Sequence, residues 1–370
     1  MRSLNEKNYW SRLDHLRLFA AVLVMASHVW HYAGGPHLPH TTSPWLSVVP
    51  QGHVGVSLFL VLTGYLFTSI VNDNQGEIVY RAFIRNRVLR IFPLLTVLFF
   101  VLLCVGKNDY TGASVLHLLL LQLNTGDAMS GFGQDHFPVG VWWTTAVELQ
   151  FYLVFPFIVA FSRRLGMRYL VGLVAVFILI RVGIFCIKGN LYWPEYHSII
   201  GRMDQFLIGM AAAQWHHGRR RLADRAAPWL FVAALVSLPV FCATYRDAEW
   251  FEAILSFTVE GLIFAALIVG YQALPVRIPA ALDRLLSRGG ELTFSMYLLH
   301  PTVLAALMTK IGFVAPTPYF SVNVALYLLL VLLPPVLLVS KLTFECIEKP
   351  FLSLRVRYFA PTADPVAVPR

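Results

Sequence analysis

Long apolar runs recur along the whole chain, separated by short polar or basic stretches. A helix needs about 20 apolar residues to cross about 30 Å of hydrocarbon. On that criterion ten spans are predicted, at 15–33, 53–71, 88–106, 142–161, 169–187, 198–215, 228–244, 253–273, 291–312 and 320–343. The segment Ala113–Leu123 is too short and carries His117 and Gln122, so it reads as an interfacial or re-entrant piece. The run from Arg12 to Ala33 has a basic start, like a signal peptide. It contains Ser27, His28 and His31 and is followed by further spans, which predicts an uncleaved first helix.

Composition agrees with the pattern. The chain is 57% hydrophobic and 13% charged, with a mean hydropathy of +0.64, whereas soluble domains carry about 25% charged residues. The fold class expected is all-α, a polytopic membrane helix bundle filling residues 1–352, with 353–370 as a short tail. No separate soluble catalytic module is expected.

The net charge of +9 raises the question of nucleic acid, which the placement of the charges answers. With ten spans and both termini cytoplasmic, Lys107, Lys188, Arg246 and Lys310 fall outside, and Arg181 and Arg202 fall within spans. Every other Lys and Arg of the 29 falls on the cytoplasmic side. An eleventh span at Ala113–Leu123 would erase that asymmetry, so the positive-inside rule favours ten. The charge is thereby accounted for with no nucleic acid partner; the partner is the lipid bilayer.

Charged groups in hydrocarbon are costly and mark functional sites by default. Asp14, Arg17, His28, Glu148, Arg181, Arg202, Asp204, Glu260 and His300 all fall in or at the edges of spans. Some can instead be structural ion pairs or interfacial side chains. Arg17 and His28 are eleven residues apart, which brings them to one helix face about 16 Å apart along the axis. A guanidinium at the boundary suits a phosphate-bearing ligand, and an imidazole deeper in suits proton transfer. Cys104, Cys186, Cys242 and Cys346 show no paired spacing. His37, His40, His53 and His136 have no zinc-ligand spacing, so no metal is expected.

Several segments together resemble acyltransferase family 3, integral membrane enzymes that acylate surface glycans, lipids and some small molecules. They are Leu13-Asp14-His15-Leu16-Arg17 with His28; Gly55-Val56-Ser57-Leu58-Phe59-Leu60-Val61-Leu62-Thr63-Gly64-Tyr65-Leu66; Phe83-Ile84-Arg85-Asn86-Arg87-Val88-Leu89-Arg90-Ile91-Phe92-Pro93; and Trp143-Thr144-Thr145-Ala146-Val147-Glu148-Leu149-Gln150-Phe151-Tyr152. Arg202-Met203-Asp204-Gln205-Phe206 with Gly209, Thr293-Phe294-Ser295-Met296-Tyr297-Leu298-Leu299-His300 and Glu348-Lys349-Pro350 extend the similarity over nearly the whole chain. His15 stands where Gly is usual, Thr63 replaces Ser, and Leu149 stands where a second Glu often occurs. No hydrolase-like domain of the kind some relatives carry is expected after the last span.

The resemblance implies a multi-pass protein of the cell membrane, the bacterial inner membrane, moving an acyl group from cytoplasmic acyl-CoA to a hydroxyl. The group is most often acetyl, and the acceptor a cell-surface glycan, glycolipid or exopolysaccharide. Coenzyme A is a polyanion, so Arg17, Arg85, Arg87 and Arg90 are the candidate site for acetyl-CoA; ordinary positive-inside charge is the plainer reading. His28 is the candidate central residue, as general base or as acyl carrier. Glu148 lies at comparable depth and could orient the imidazole or contact the acceptor, and Arg17 completes the catalytic set. Trp143, Arg202, Asp204 and His300 are candidates for acceptor binding, against an interfacial-belt role for Trp143 and structural pairing for Arg202 and Asp204. Gly55, Thr63 and Gly64 allow close helix approach; Gly55 and Gly64 could equally leave room for an extended pantetheine arm, and packing is the favoured reading. Larger acyl groups such as succinyl, small-molecule acceptors such as a macrolide or a lipo-oligosaccharide, and a glycan transporter or exporter remain as alternatives.

Overall fold

A computed structural model describes residues 9–35, 44–74, 76–105, 141–189 and 197–360. His37, His40, His136 and the segment Ala113–Leu123 lie outside the described residues. The chain is an all-α membrane bundle, and every segment predicted to span is helical. The helices are α1 (Ser11–Tyr32), α2 (Val54–Asn74), α3 (Tyr80–Val105), α4 (Trp142–Leu165), α5 (Met167–Lys188), α6 (Ile199–Gly218), α7 (Arg220–Thr244), α8 (Ser256–Ala273), α9 (Ala280–Glu291), α10 (Thr293–Lys310) and the interrupted α11 (Phe320–Leu352). Among the described residues, seven are long and apolar enough to cross a membrane. An eighth is added if α9 and α10, bent by 66° at Leu292, count as one span.

Length and hydropathy explain the helices; small residues explain their packing. α6 lies against α2, α5 and α8, and α2 also packs on α1. The α2–α6 contact is backbone to backbone: a Cβ on Gly64 would sit 2.1 Å from the Phe206 carbonyl oxygen, and one on Gly209 would sit 2.2 Å from that of Val61. Gly55 does the same on the other side of α2, against Ala20 of α1, so the close-packing expectation for Gly55 and Gly64 agrees with the geometry. Gly209→Ala should cost ~1–3 kcal/mol through overpacking. Gly172→Ala on α5, where a Cβ meets nothing within 4 Å, should be neutral. Melting temperatures of the two variants in one detergent test this, and equal values would refute the close-approach account.

α4 and α5 are joined through Gly166, whose φ of 74° lies in the left-handed region that a side chain disfavours. α5 faces lipid: Leu179 and Ile187 are exposed, and among its residues only Leu170 and Arg181 are buried. α11 contains two π-helical turns, Tyr327–Leu332 and Phe344–Glu348. The first precedes Pro334 and Pro335, which lack the N–H that α-helical bonding needs. The second swings Glu348 into the interior, where it is 1% exposed.

Residues 353–360, read from the sequence as the start of a tail, run back across the beginning of α3. Asn86 brackets Val356, donating to its carbonyl (2.7 Å) and accepting from its N–H (2.9 Å). Tyr358 is buried with its ring against Phe83, at 5.3 Å between centroids.

Candidate active site

Two cavities occupy opposite ends of the bundle. The first, about 230 Å³, is lined by Asp14 and Arg17 of α1, Thr63 and Phe67 of α2, Arg87 and Arg90 of α3, and Glu148 and Tyr152 of α4. Glu291, Tyr297 and Arg355 also line it. The second, about 280 Å³, is lined by Ser27, His28 and Tyr32 of α1, His53, Trp143 of α4, His197 and Pro301. Val56 and Tyr297 line both, so two side chains form the partition between a basic chamber and a histidine-rich one. Along α1 the basic chamber ends at Arg17 and the histidine-rich one begins at Val24, and the eleven residues from Arg17 to His28 span about 16 Å.

In the basic chamber each arginine is held differently. Arg17 Nη1 donates to Asp14 Oδ1 at 2.7 Å, and Tyr9 donates to the other carboxylate oxygen at 2.8 Å. Burial pushes the Tyr9 phenol up to about 12, so it stays a donor at neutral pH. Arg90 pairs with Glu348 at 2.8 Å, and Ser295 donates to the second oxygen of that carboxylate. Arg87 lies over the rings of Phe67 (4.7 Å), Phe83 (5.4 Å) and Tyr152 (5.8 Å). Its Nε is buried and makes no hydrogen bond to the described residues, a donor left over in a cavity wall. Arg85 does not line the chamber; it is exposed and donates to the Leu354 carbonyl at 3.3 Å.

Glu148 lies on the same side of the partition, accepting from Tyr152 (3.0 Å) and Thr63 (3.3 Å). The imidazole of His28 has a different partner. Its Nδ1 is 2.8 Å from His300 Nε2, with the rings stacked at 4.9 Å. His300 is fully buried on α10, its Nδ1 3.0 Å from the Met296 carbonyl. Trp143 is buried in the wall of the histidine-rich chamber, edge-on to His197 at 4.9 Å, rather than set in a lipid-facing belt.

Arg202 and Asp204 lie behind that wall, fully buried, and line neither cavity. Two positions apart on α6, they face different neighbours. Asp204 pairs with Arg181 of α5 (2.7 Å) and accepts from Thr258 of α8 (2.5 Å). Arg202 donates to Ser57 of α2 (3.2 Å), sits 3.9 Å from Glu260 of α8, and stacks over Phe257 at 3.9 Å. Its guanidinium is also 5.5 Å from the Trp143 ring, so it buttresses the chamber from behind.

Sequence reasoning missed Tyr297, Thr63, Tyr152 and Arg355 as lining residues, and missed Glu348 as the partner of Arg90. Thr63, Tyr152, Tyr297 and Glu348 carried a signal, since each lies in a segment that resembles the family's; Arg355 looks like an ordinary tail position.

The family model described as an acyltransferase domain matches residues 10–340. Among curated relatives, nodulation protein 10 of Rhizobium leguminosarum bv. viciae is 32% identical over 42% of this chain and 45% of its own length. A putative peptidoglycan O-acetyltransferase of Bacillus subtilis (strain 168) is 24% identical over 95% of this chain and 56% of its own. A putative acetyltransferase of Acidianus two-tailed virus is 23% identical over 80% of this chain and 83% of its own. The chain thus spans about half the length of the first two. No solved structure matches it.

Proposed function

Because this chain belongs to the acyltransferase-domain family, we propose that it is a multi-pass membrane O-acetyltransferase of the bacterial cytoplasmic membrane. It takes acetyl-CoA from the cytoplasm and acylates a hydroxyl of a surface glycan or glycolipid on the other side. The observation that carries this reading is the pair of cavities meeting at Val56 and Tyr297. One is basic, at the end where the positive-inside rule puts the cytoplasm; the other holds an imidazole and a tryptophan.

The donor reading fits the chemistry of the basic chamber. The phosphates of coenzyme A would meet Arg17, Arg87, Arg90 and Arg355, with the buried Arg87 Nε supplying a donor that none of the described residues uses. Asp14 and Glu348 hold Arg17 and Arg90 in place, and Glu148 fixes Tyr152 and Thr63 along the path of the pantetheine arm. In the outer chamber, Trp143 offers a sugar-stacking face and His28 a base for the hydroxyl. The relative named as a putative peptidoglycan O-acetyltransferase supports a glycan acceptor.

Transfer then runs in one balanced sequence. The acceptor oxygen gives its proton to His28 and bonds to the thioester carbonyl carbon; the carbon–sulfur bond breaks; His28 returns the proton to the thiolate of coenzyme A. Calorimetry with acetyl-CoA on detergent-solubilised protein tests the donor site. Wild type should bind, and Arg87→Gln should weaken binding about tenfold or more, since a charge-assisted hydrogen bond contributes about 1.5–3 kcal/mol. A folded wild type that does not bind acetyl-CoA would overturn the enzyme reading in favour of a transporter.

A further inference from the structure

We infer that His300 is a positioning residue that fixes the tautomer of His28, so that His28 presents an unprotonated Nε2 to the acceptor hydroxyl. The inference rests on the acyltransferase reading and specifies how its central residue is set.

The argument begins with the backbone of α10. His300 Nδ1 lies 3.0 Å from the Met296 carbonyl. Pro301, inside the helix, has no N–H, so the Tyr297 carbonyl four residues earlier lacks its helical donor. Carbonyl oxygens only accept, so Nδ1 of His300 carries the proton. In a neutral imidazole the other nitrogen is then an acceptor. That nitrogen, Nε2, is the atom 2.8 Å from His28 Nδ1. His28 Nδ1 therefore donates, and its own Nε2 is left with the lone pair in a ring that lines the outer chamber.

The chain of dependence runs from Pro301 and the α10 carbonyls, through His300, to His28. It does for this imidazole what a buried carboxylate does in a catalytic triad: it holds tautomer and ring orientation, and it goes on accepting the Nδ1–H hydrogen bond, without taking the proton, when the ring becomes cationic. Here the acceptor is a neutral ring nitrogen. Glu148, across the Val56–Tyr297 partition, is hydrogen-bonded to Tyr152 and Thr63 instead.

The test uses full-length protein in detergent, with acetyl-CoA as donor and water as acceptor, reading released thiol. Gln places an amide oxygen near where Nε2 of His300 sits and can accept from His28; Met fills similar space without an acceptor. His300→Gln should stay within about fivefold of wild-type kcat, and His300→Met should lose about 30- to 100-fold, both with KM for acetyl-CoA within about twofold. Equal losses in the two variants, or a Met variant as active as wild type, would overturn the inference. So would a loss confined to KM. Should either variant fail to fold, nitrogen-15 spectra of histidine-labelled wild type decide the matter: His28 must be the Nδ1–H tautomer, and an Nε2–H form refutes the assignment. A wild type that binds acetyl-CoA but never cleaves it instead defeats the underlying reading.

Discussion

His28→Ala is expected to abolish thioester turnover while leaving acetyl-CoA affinity within about twofold of wild type. The separation follows from the two chambers. The arginines lie in one, His28 lines the other, and only Val56 and Tyr297 belong to both. About 16 Å of helix separates His28 from Arg17, so truncating the imidazole leaves the phosphate contacts untouched. Loss of a positioned general base costs about 10²–10⁴ in rate, and a nucleophile would cost at least as much. Thiol release and calorimetry on the same folded sample read both quantities. Retained turnover would remove His28 from the centre of the mechanism, and lost binding would mean that the chambers are not separate in the way their walls suggest.

The second large effect is on folding. Asp204→Ala should strip Arg181 of its carboxylate in a site where both are fully buried. Leaving one charge of a buried pair uncompensated costs about 3–5 kcal/mol. Thr258, which donates to Asp204 at 2.5 Å, would lose its acceptor as well. Monodisperse protein should fall sharply and melt earlier. Replacing both partners by apolar residues, Arg181→Met with Asp204→Leu, should recover most of the stability and, per folded molecule, the wild-type turnover. If the single variant folds as well as wild type but is inactive, Asp204 belongs to acceptor binding after all.

The sequence carried the fold further than the site. Apolar run length located the long helices, because spanning a bilayer is a one-dimensional requirement, but it passed over α9, whose twelve residues precede the bend into α10. Helical periodicity sent Arg202 and Asp204 to two faces of one helix, and the structure agrees: one meets Ser57 of α2, the other Arg181 of α5. The same geometry, applied to α3, turns Arg85 about 160° away from Arg87, which explains why it reaches Leu354 rather than the chamber. What periodicity could not supply was the partner of each group. His28 and His300 are 272 residues apart, and Arg90 and Glu348 are 258 apart. Nothing local in either helix announces the other. The π-helical turn that aims Glu348 inward, and the return of residues 353–360 over α3, are likewise tertiary outcomes.

Those long separations bear on how the protein is made. Chains are synthesised and inserted from the N-terminus, so α1 and α3 are in the bilayer well before α10 and α11 leave the ribosome. Until α10 docks, His28 has no acceptor for its Nδ1 proton; until α11 docks, Arg90 has no counter-ion and Arg355 does not line the chamber. A chain inserted only as far as α9 therefore carries the arginines and the imidazole without the partners that arrange them. Docking of α10 and α11 against helices inserted before them is thus the step that completes both chambers.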